Sequence, residues 1–484
     1  MPRVWPRVVP PILIAVFVAA LLVPFAARDP VAGVTSSNGP FSDESWNILG
    51  ARNLLLLGHF STDSWNTWLL TLPFTLLQAT AFAIIGVGIV QARLAVIGVV
   101  AATAALIVAG LRPLIGSRAA SLAAIGYATS ALVLFYGHLA FLEPLVGLFL
   151  TAGILALRRA DEPRAGRWGL AGGFALSLAV MTKALVLVPV MVLLATVAVG
   201  AIWRPDARRW LIGAVTSGSL VALAWAGLVL WPNRDAVAVV VTQIYPPLGL
   251  PSSGHALVSN LTAFIWGKSG DDAVLLALPL LAFALAGGLR AAYLWRRGRL
   301  RGGFVAAGAA AALVAGLAVL AVVDYRPNRY LVALLPAAAI LVGWALVGVE
   351  RLPRRRGWVA TVVAVALLAL PGLTLHAGWM SGATSRLPAI QEDGFLAIPA
   401  GSIIAGGYAP LVGLRVSAVT IVTRGAQDPV NSGDLYAAGV RYVVSGESPP
   451  SWSSLHPAAW ADRRELLCFM WGKDSKRICL YALP

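Results

Sequence analysis

Eleven apolar runs, most of them near the roughly 20 residues a helix needs to cross a bilayer core, follow one another along this chain. They lie at about 8–27, 94–111, 119–135, 144–157, 168–182, 184–203, 210–231, 272–294, 303–323, 331–349 and 358–376. Backbone polar groups inside lipid must bond within the segment, so such a pattern folds as a bundle of membrane helices. Only 12% of the 484 residues are charged and mean hydropathy is +0.80. That excludes a soluble enzyme and a disordered chain alike. The first run follows Arg3 and Arg7 and could be a signal peptide. Its length, Pro24 and the spans that come after it favour an uncleaved first span.

The net charge of +16 would point to a nucleic-acid partner in a soluble protein. Here its placement says otherwise. With the N-terminus inside, the cytoplasmic segments collect twenty Lys and Arg against four acids. The opposite loops hold eight basic residues and nine acids, and the last hundred or so residues nine and eight. The whole excess sits on one face, as the positive-inside rule requires. The expected location is the cell membrane, multi-pass, with the N-terminus cytoplasmic and the C-terminal region outside.

Two domains are expected. Residues 1–376 form the membrane domain, with an outer loop over 28–93 that carries surface helices, and 377–484 form an extracytoplasmic α/β domain. In the loop, Ser42 or Asp43 can cap a helix in which Trp46, Leu49, Asn53 and Leu57 recur at helical spacing, with Gly58 as its stop. Segment 68–90 is apolar enough to span. Thr71, Pro73 and Gln78 interrupt it, and crossing with the N-terminus inside would invert most of the arginines, so it is read as lying on or dipping into the membrane, a twelve-span chain with its N-terminus outside being the alternative.

Polar residues at outer helix ends are the candidates for chemistry, because ionisable groups at such depth usually face a partner or a cavity. Asp43 and Glu44 open the loop helix, where acids also satisfy the helix dipole. Glu143 precedes Pro144 at the head of a span and could simply cap it. Lys183 follows Met181-Thr182 and could simply snorkel. Asp324-Tyr-Arg-Pro-Asn-Arg-Tyr330 carries two arginines on the face poor in them. Their forks suit phosphate, and pairing with Asp324 is the plainer alternative. His59, His138 and His255 lack metal-ligand spacing, and Asn260-Leu-Thr262 fits a glycosylation sequon.

The order of these features resembles the GT-C superfamily of membrane glycosyltransferases, nearest the branch of protein O-mannosyltransferases and the lipid A aminoarabinose transferase. The matching residues are Asp43-Glu44 running on to Gly58, Gly86, Ala92-Arg93-Leu94, Gly116-Ser-Arg118-Ala119, Glu143-Pro144, Thr182-Lys183, and Arg329-Tyr330 with Pro336. Where that branch often carries Lys-Pro-Pro, this chain reads Thr71-Leu72-Pro73. The resemblance implies a GT-C-like fold and transfer of a sugar from a polyprenyl-phosphate donor to a glycan, lipid or protein acceptor outside the membrane, with inversion. It implies Asp43 and Glu143 as catalytic residues. Glu44, Trp46, Arg93, Lys183, Arg326, Arg329 and Tyr330 become substrate-binding candidates. It leaves room for a divalent cation, Mg or Mn, at Asp43 and Glu143. Membrane lipids are expected partners and nucleic acid is not. A transporter or flippase of lipid-linked glycans, or a non-catalytic member acting in envelope assembly, are the alternatives.

The C-terminal region reads as alternating strands and helices, with strands at 402–405, 419–422 and 441–444 and helices at 408–414 and 431–438. A hairpin joins 465–471 to 476–482. Pairing residue 471 with 476 sets Cys468 opposite Cys479, the two cysteines of the chain. A cross-strand disulfide is expected in an oxidising compartment, two buried thiols being the alternative.

Overall fold

The structure is a computed structural model. It describes residues 5–29, 42–61, 66–244, 258–259, 262, 277–297, 302–323, 328–422, 435–446, 456–471 and 476–484. Asp324, Arg326, His255 and Asn260 lie outside the described residues.

The chain is mainly helical. In order, the helices are α1 (Trp5–Leu22), α2 (Ser42–Leu57), α3 (Leu72–Ile85), α4 (Ile89–Ile115), α5 (Ser117–Ala128), α6 (Ala131–Tyr136), α7 (Glu143–Ala156), α8 (Ala165–Thr182), α9 (Leu187–Ala201), α10 (Pro205–Trp225), α11 (Arg234–Val239), α12 (Leu278–Arg296), α13 (Gly303–Val322), α14 (Arg329–Val332), α15 (Leu335–Leu346), α16 (Arg354–Ser381), α17 (Arg386–Ala397), α18 (Ala409–Val412) and α19 (Pro457–Ala461). Among the described residues, six helical stretches are each long and apolar enough to cross a membrane.

Two expected spans are broken. Residues 119–135 divide at Thr129-Ser130, where the Thr129 hydroxyl donates back to the Ile125 carbonyl at 2.7 Å. Residues 331–349 divide between α14 and α15, because Pro336 in the first turn of α15 has no N–H to continue the ladder. Segment 68–90 is also divided. Its helix α3 has 14 residues, about 21 Å at 1.5 Å per residue, short of a bilayer core of about 30 Å. Gly86 at φ +85° then turns the chain into α4.

The helices bury one large apolar core that includes Val100, Leu111, Tyr127, Phe135, Trp210 and Trp344. Small residues let α8 and α10 approach closely. A Cβ on Gly173 would lie 2.1 Å from the Ala214 carbonyl oxygen, and one on Gly169 2.0 Å from that of Trp210. Such contacts replace the hydrophobic drive that helices lack inside lipid. The outward flank of α10 exposes Leu220, Leu223 and, beyond its end, Leu228.

The C-terminal region contains a five-stranded sheet of order β2-β1-β3-β5-β4, made of β1 (Ile403–Ala405), β2 (Val419–Ile421), β3 (Tyr442–Ser445), β4 (Arg464–Trp471) and β5 (Lys476–Ala482). β1 pairs parallel with β2 and β3, and the β4–β5 hairpin adds antiparallel to β3. Trp471 faces Lys476 and Cys468 faces Cys479, the two cysteines being joined with their Cα atoms 4.1 Å apart. Two helix expectations change. Residues 408–414 hold only the short α18, which Gly413 ends. Residues 435–439 form turns, and 431–434 lie outside the described residues.

The sheet does not stand apart from the membrane helices. Ile48 and Ala51 of α2, Phe74 of α3 and Ala92 of α4 share one apolar cluster with Leu387 and Ile390 of α17, Leu411 and Val412 of α18, and Leu480 of β5.

Candidate functional site

Asp43 and Glu44 occupy the first turn of α2. Adjacent helical residues point about 100° apart, so the pair divides. Glu44 turns inward and is fully buried. Its carboxylate accepts Arg93 Nε at 2.8 Å and Arg93 Nη2 at 2.7 Å, and also the Ala140 N–H at 2.7 Å. Arg93 Nη1 donates to the carbonyls of Ala26 at 3.1 Å and Arg28 at 2.7 Å. This bidentate pair ties α2, α4, the segment after α1 and the turn before α7 together. Both groups are enclosed and occupied by protein partners, an arrangement that supports the fold around the site. Trp46 packs with Leu49 against Val422.

Asp43 turns the other way and stays half-buried. Its Oδ2 lies 2.7 Å from Arg329 Nη2, at the head of α14. Arg329 Nε lies 3.5 Å from Glu143 Oε1, and Lys183 Nζ approaches the same oxygen at 2.5 Å. The result is a row of alternating charge, Asp43, Arg329, Glu143, Lys183, drawn from four elements. Lys183 reaches it from the extended residue that ends α8. Aromatic rings hold the cations in place. Lys183 Nζ sits 3.6 Å from the centre of the Tyr330 ring, and the Arg329 guanidinium stacks 4.8 Å from that of Phe141.

Glu143 is 1% exposed, and its second oxygen, Oε2, is buried without a hydrogen-bond partner among the described residues. An unpaired carboxylate oxygen at such depth is costly, and it is the acceptor this row offers to an incoming N–H or O–H. The site suits a divalent cation poorly. The carboxylates already neutralise Arg329 and Lys183, and an ion at the open oxygen would sit against the same two cations. A second acid and cysteine grouping, Glu465 with Cys468 and Cys479, has its sulfurs joined to each other and supplies no thiolate.

Five of the sequence candidates, Asp43, Glu143, Lys183, Arg329 and Tyr330, therefore meet. Sequence reasoning missed Phe141 beneath Arg329, an apolar residue in a chain full of them and so without a distinguishing signal. His138 meets His376 at 6.0 Å between ring centres, a pairing that spacing along the chain cannot show.

No family model matches the sequence, and no curated protein matches it either. Solved structures do. The chain is similar to ArnT from Cupriavidus metallidurans bound to undecaprenyl phosphate, with a TM-score of 0.64 and 14% identity over 98% of this chain and 97% of that one. The apo state of the same protein gives 0.63 and 13% identity over 97% of each chain. Archaeal oligosaccharyltransferase AglB from Archaeoglobus fulgidus, in complex with an inhibitory peptide and a dolichol-phosphate, gives 0.53 and 14% identity over 90% of this chain and 69% of that one. Both neighbours are glycosyltransferases of the GT-C fold, and this chain shares that fold.

Proposed function

We propose that this protein transfers a sugar from a polyprenyl-phosphate donor to an acceptor at the outer face of the membrane, with inversion at the anomeric carbon. The observation that carries the reading is the row Asp43, Arg329, Glu143, Lys183 at the ends of apolar helices. Two cations for a phosphate and two carboxylates for hydroxyl groups are the parts such a transfer needs. Neighbours of the same fold bound to undecaprenyl phosphate and to a dolichol-phosphate support the donor class.

In this reading a donor phosphate competes for Arg329 and Lys183 and loosens Asp43 from its guanidinium. Asp43 then takes the acceptor hydroxyl proton as that oxygen bonds to the anomeric carbon. The bond from that carbon to the phosphate oxygen breaks, and its electron pair leaves with the polyprenyl phosphate. Glu143 orients the donor through Oε2 and keeps Lys183 in place. A divalent cation carries no step here. In this reading the arginine-rich turns lie inside and residues 377–484 lie outside, packed against the helices of 1–376 through one apolar cluster.

Purified protein in nanodiscs is incubated with a panel of polyprenyl-phosphate sugars while release of the lipid phosphate is followed. Wild type should release it from at least one donor, and Asp43→Asn should lower the rate by about 100-fold or more, in line with loss of a general base. No release from and no binding of any donor would overturn the reading and favour a transporter or an assembly role.

A further inference from the structure

Three segment ends at the junction between the C-terminal region and the membrane helices, two helix N-termini and the loop after α18, are held by side chains from other elements. The N-terminus of α17 is flanked by Ser385, whose side chain makes no capping bond. Asp29, just after the first apolar helix, does so instead. Its carboxylate accepts the N–H groups of Arg386 at 2.6 Å and Leu387 at 2.9 Å, and the hydroxyl of Thr384. Its own N–H donates to the Thr384 carbonyl at 2.7 Å. At the other end of the junction, Arg52 of α2 is fully buried. Its guanidinium donates to the carbonyls of Leu414 at 3.3 Å, Gly413 at 3.1 Å and Val416, all just past α18, and to Asn53 Oδ1 at 2.6 Å. The third end is that of α4, where the Ile89 N–H finds Gln391 Oε1 of α17 at 3.3 Å.

The first two contacts match in sign as well as shape. An acid meets the free N–H groups at the head of α17, and a cation meets carbonyls of the 413–416 loop, two of which also accept the N–H groups of Val416 and Ala418. Burial lowers the Arg52 pKa only to about 10, so it stays charged near neutrality. Both contacts also lead to Asp43. Arg52 lies on the same helix. Asp29 continues the segment whose carbonyls, at Ala26 and Arg28, hold Arg93 against Glu44, the neighbour of Asp43.

We infer that the C-terminal α/β region is a clamp that sets the position of α2, with Asp29 and Arg52 as positioning residues that hold Asp43 against Arg329. The consequence for catalysis rests on the proposed sugar transfer; the clamp itself does not. Neither residue touches the charged row, so each acts through the helix it fixes. The donor-holding groups Arg329 and Lys183 stand on other elements, which separates the expected effects on rate and on binding.

The test uses the full chain in nanodiscs with Arg52→Gln, Arg52→Lys and Asp29→Asn. Hydrogen exchange of the 42–57 amides should speed up at least 10-fold in Arg52→Gln and Asp29→Asn, while α8 and α13 exchange as in wild type. Lys keeps the charge but not the fork, so Arg52→Lys should fall between, which guards against a variant that merely misfolds. With a turned-over donor, kcat should drop by about 10-fold or more with KM within about 2-fold, the mark of an interaction needed in the transition state. In an Asp43→Asn background the Arg52→Gln loss should vanish, since coupled residues are not additive. Unchanged exchange in α2, or rate losses that add fully to that of Asp43→Asn, would overturn the inference. If wild type turns over no donor, the functional reading fails, and the exchange measurement alone decides the clamp.

Discussion

Glu44 and Asp43 are neighbours in sequence with opposite positions in the fold, and their replacements should separate accordingly. Removing one partner of a buried pair leaves an uncompensated charge, which costs about 3–5 kcal/mol. Arg93→Met should therefore lower the thermal unfolding temperature of the detergent-solubilised protein sharply, before any question of activity arises. Glu143→Gln should show both effects. Gln fills the same space, but Lys183 and Arg329 lose a buried shared anion, so the unfolding temperature should fall too, and transfer should drop by about 100-fold in the donor-release assay. At this scale the sequence reveals who takes part but not with whom. Asp43, Glu143, Lys183, Arg329 and Tyr330 stand out because polar residues at the ends of apolar helices are few. Their pairing depends on which helix ends meet. Arg329 therefore finds Asp43, some 286 residues away. Glu44 and Arg93 look like site residues for the same reason, and only burial shows that they hold each other.

Helices in this chain are positioned by what they lack as much as by what they carry. Gly169 and Gly173 bring α8 within backbone contact of α10, and α8 ends at Lys183. Gly173→Leu should force the two helices apart at a cost of about 1–3 kcal/mol for overpacking. It should also weaken donor binding, because Lys183 moves with the helix. Thermal unfolding and a donor titration check the two effects separately. Apolar periodicity locates most of the helices, and pairing residue 471 with 476 gives the β4–β5 register back to Leu467, beyond which it shifts. The breaks at Thr129-Ser130 and before Pro336 are harder to read. A hydroxyl or a proline inside an apolar run is tolerated in many membrane helices, so only packing decides whether the helix continues. The cap on α17 and the hold on the loop after α18 leave no local trace at all, since Asp29 and Arg52 are hundreds of positions away.

For the molecule as a whole, the charge of +16 is a statement about orientation. A cysteine placed at Arg164 should react with an impermeant maleimide only after the membrane is opened, whereas one placed at Glu392 should react in intact cells. Labelling of both from outside would remove the proposed topology. The joined cysteines lie on β4 and β5, with β4 at the open edge of the sheet. Closing a loop of this size is worth roughly 3 kcal/mol. Reductant should thus loosen β4–β5, seen as faster hydrogen exchange there, and leave the exchange of α4 and α13 untouched. The class of fold follows from the apolar runs alone. The union of sheet and helices around one apolar cluster does not, because a change of composition near residue 377 need not mark a boundary between packed bodies.

The bond between Asp29 and Thr384 also has a meaning in time. The two residues are 355 positions apart, and a ribosome adds about 5–20 residues per second. For many seconds of synthesis Asp29 waits for the helix it caps, while Asp43 is already made and its helix is not yet held. A chain stopped between residues 329 and 384 therefore carries every residue of the charged row and still lacks the contact between Asp29 and Thr384. On the proposed transfer and clamp, competence arrives late, with folding of the C-terminal region, and a half-made protein is silent toward a donor.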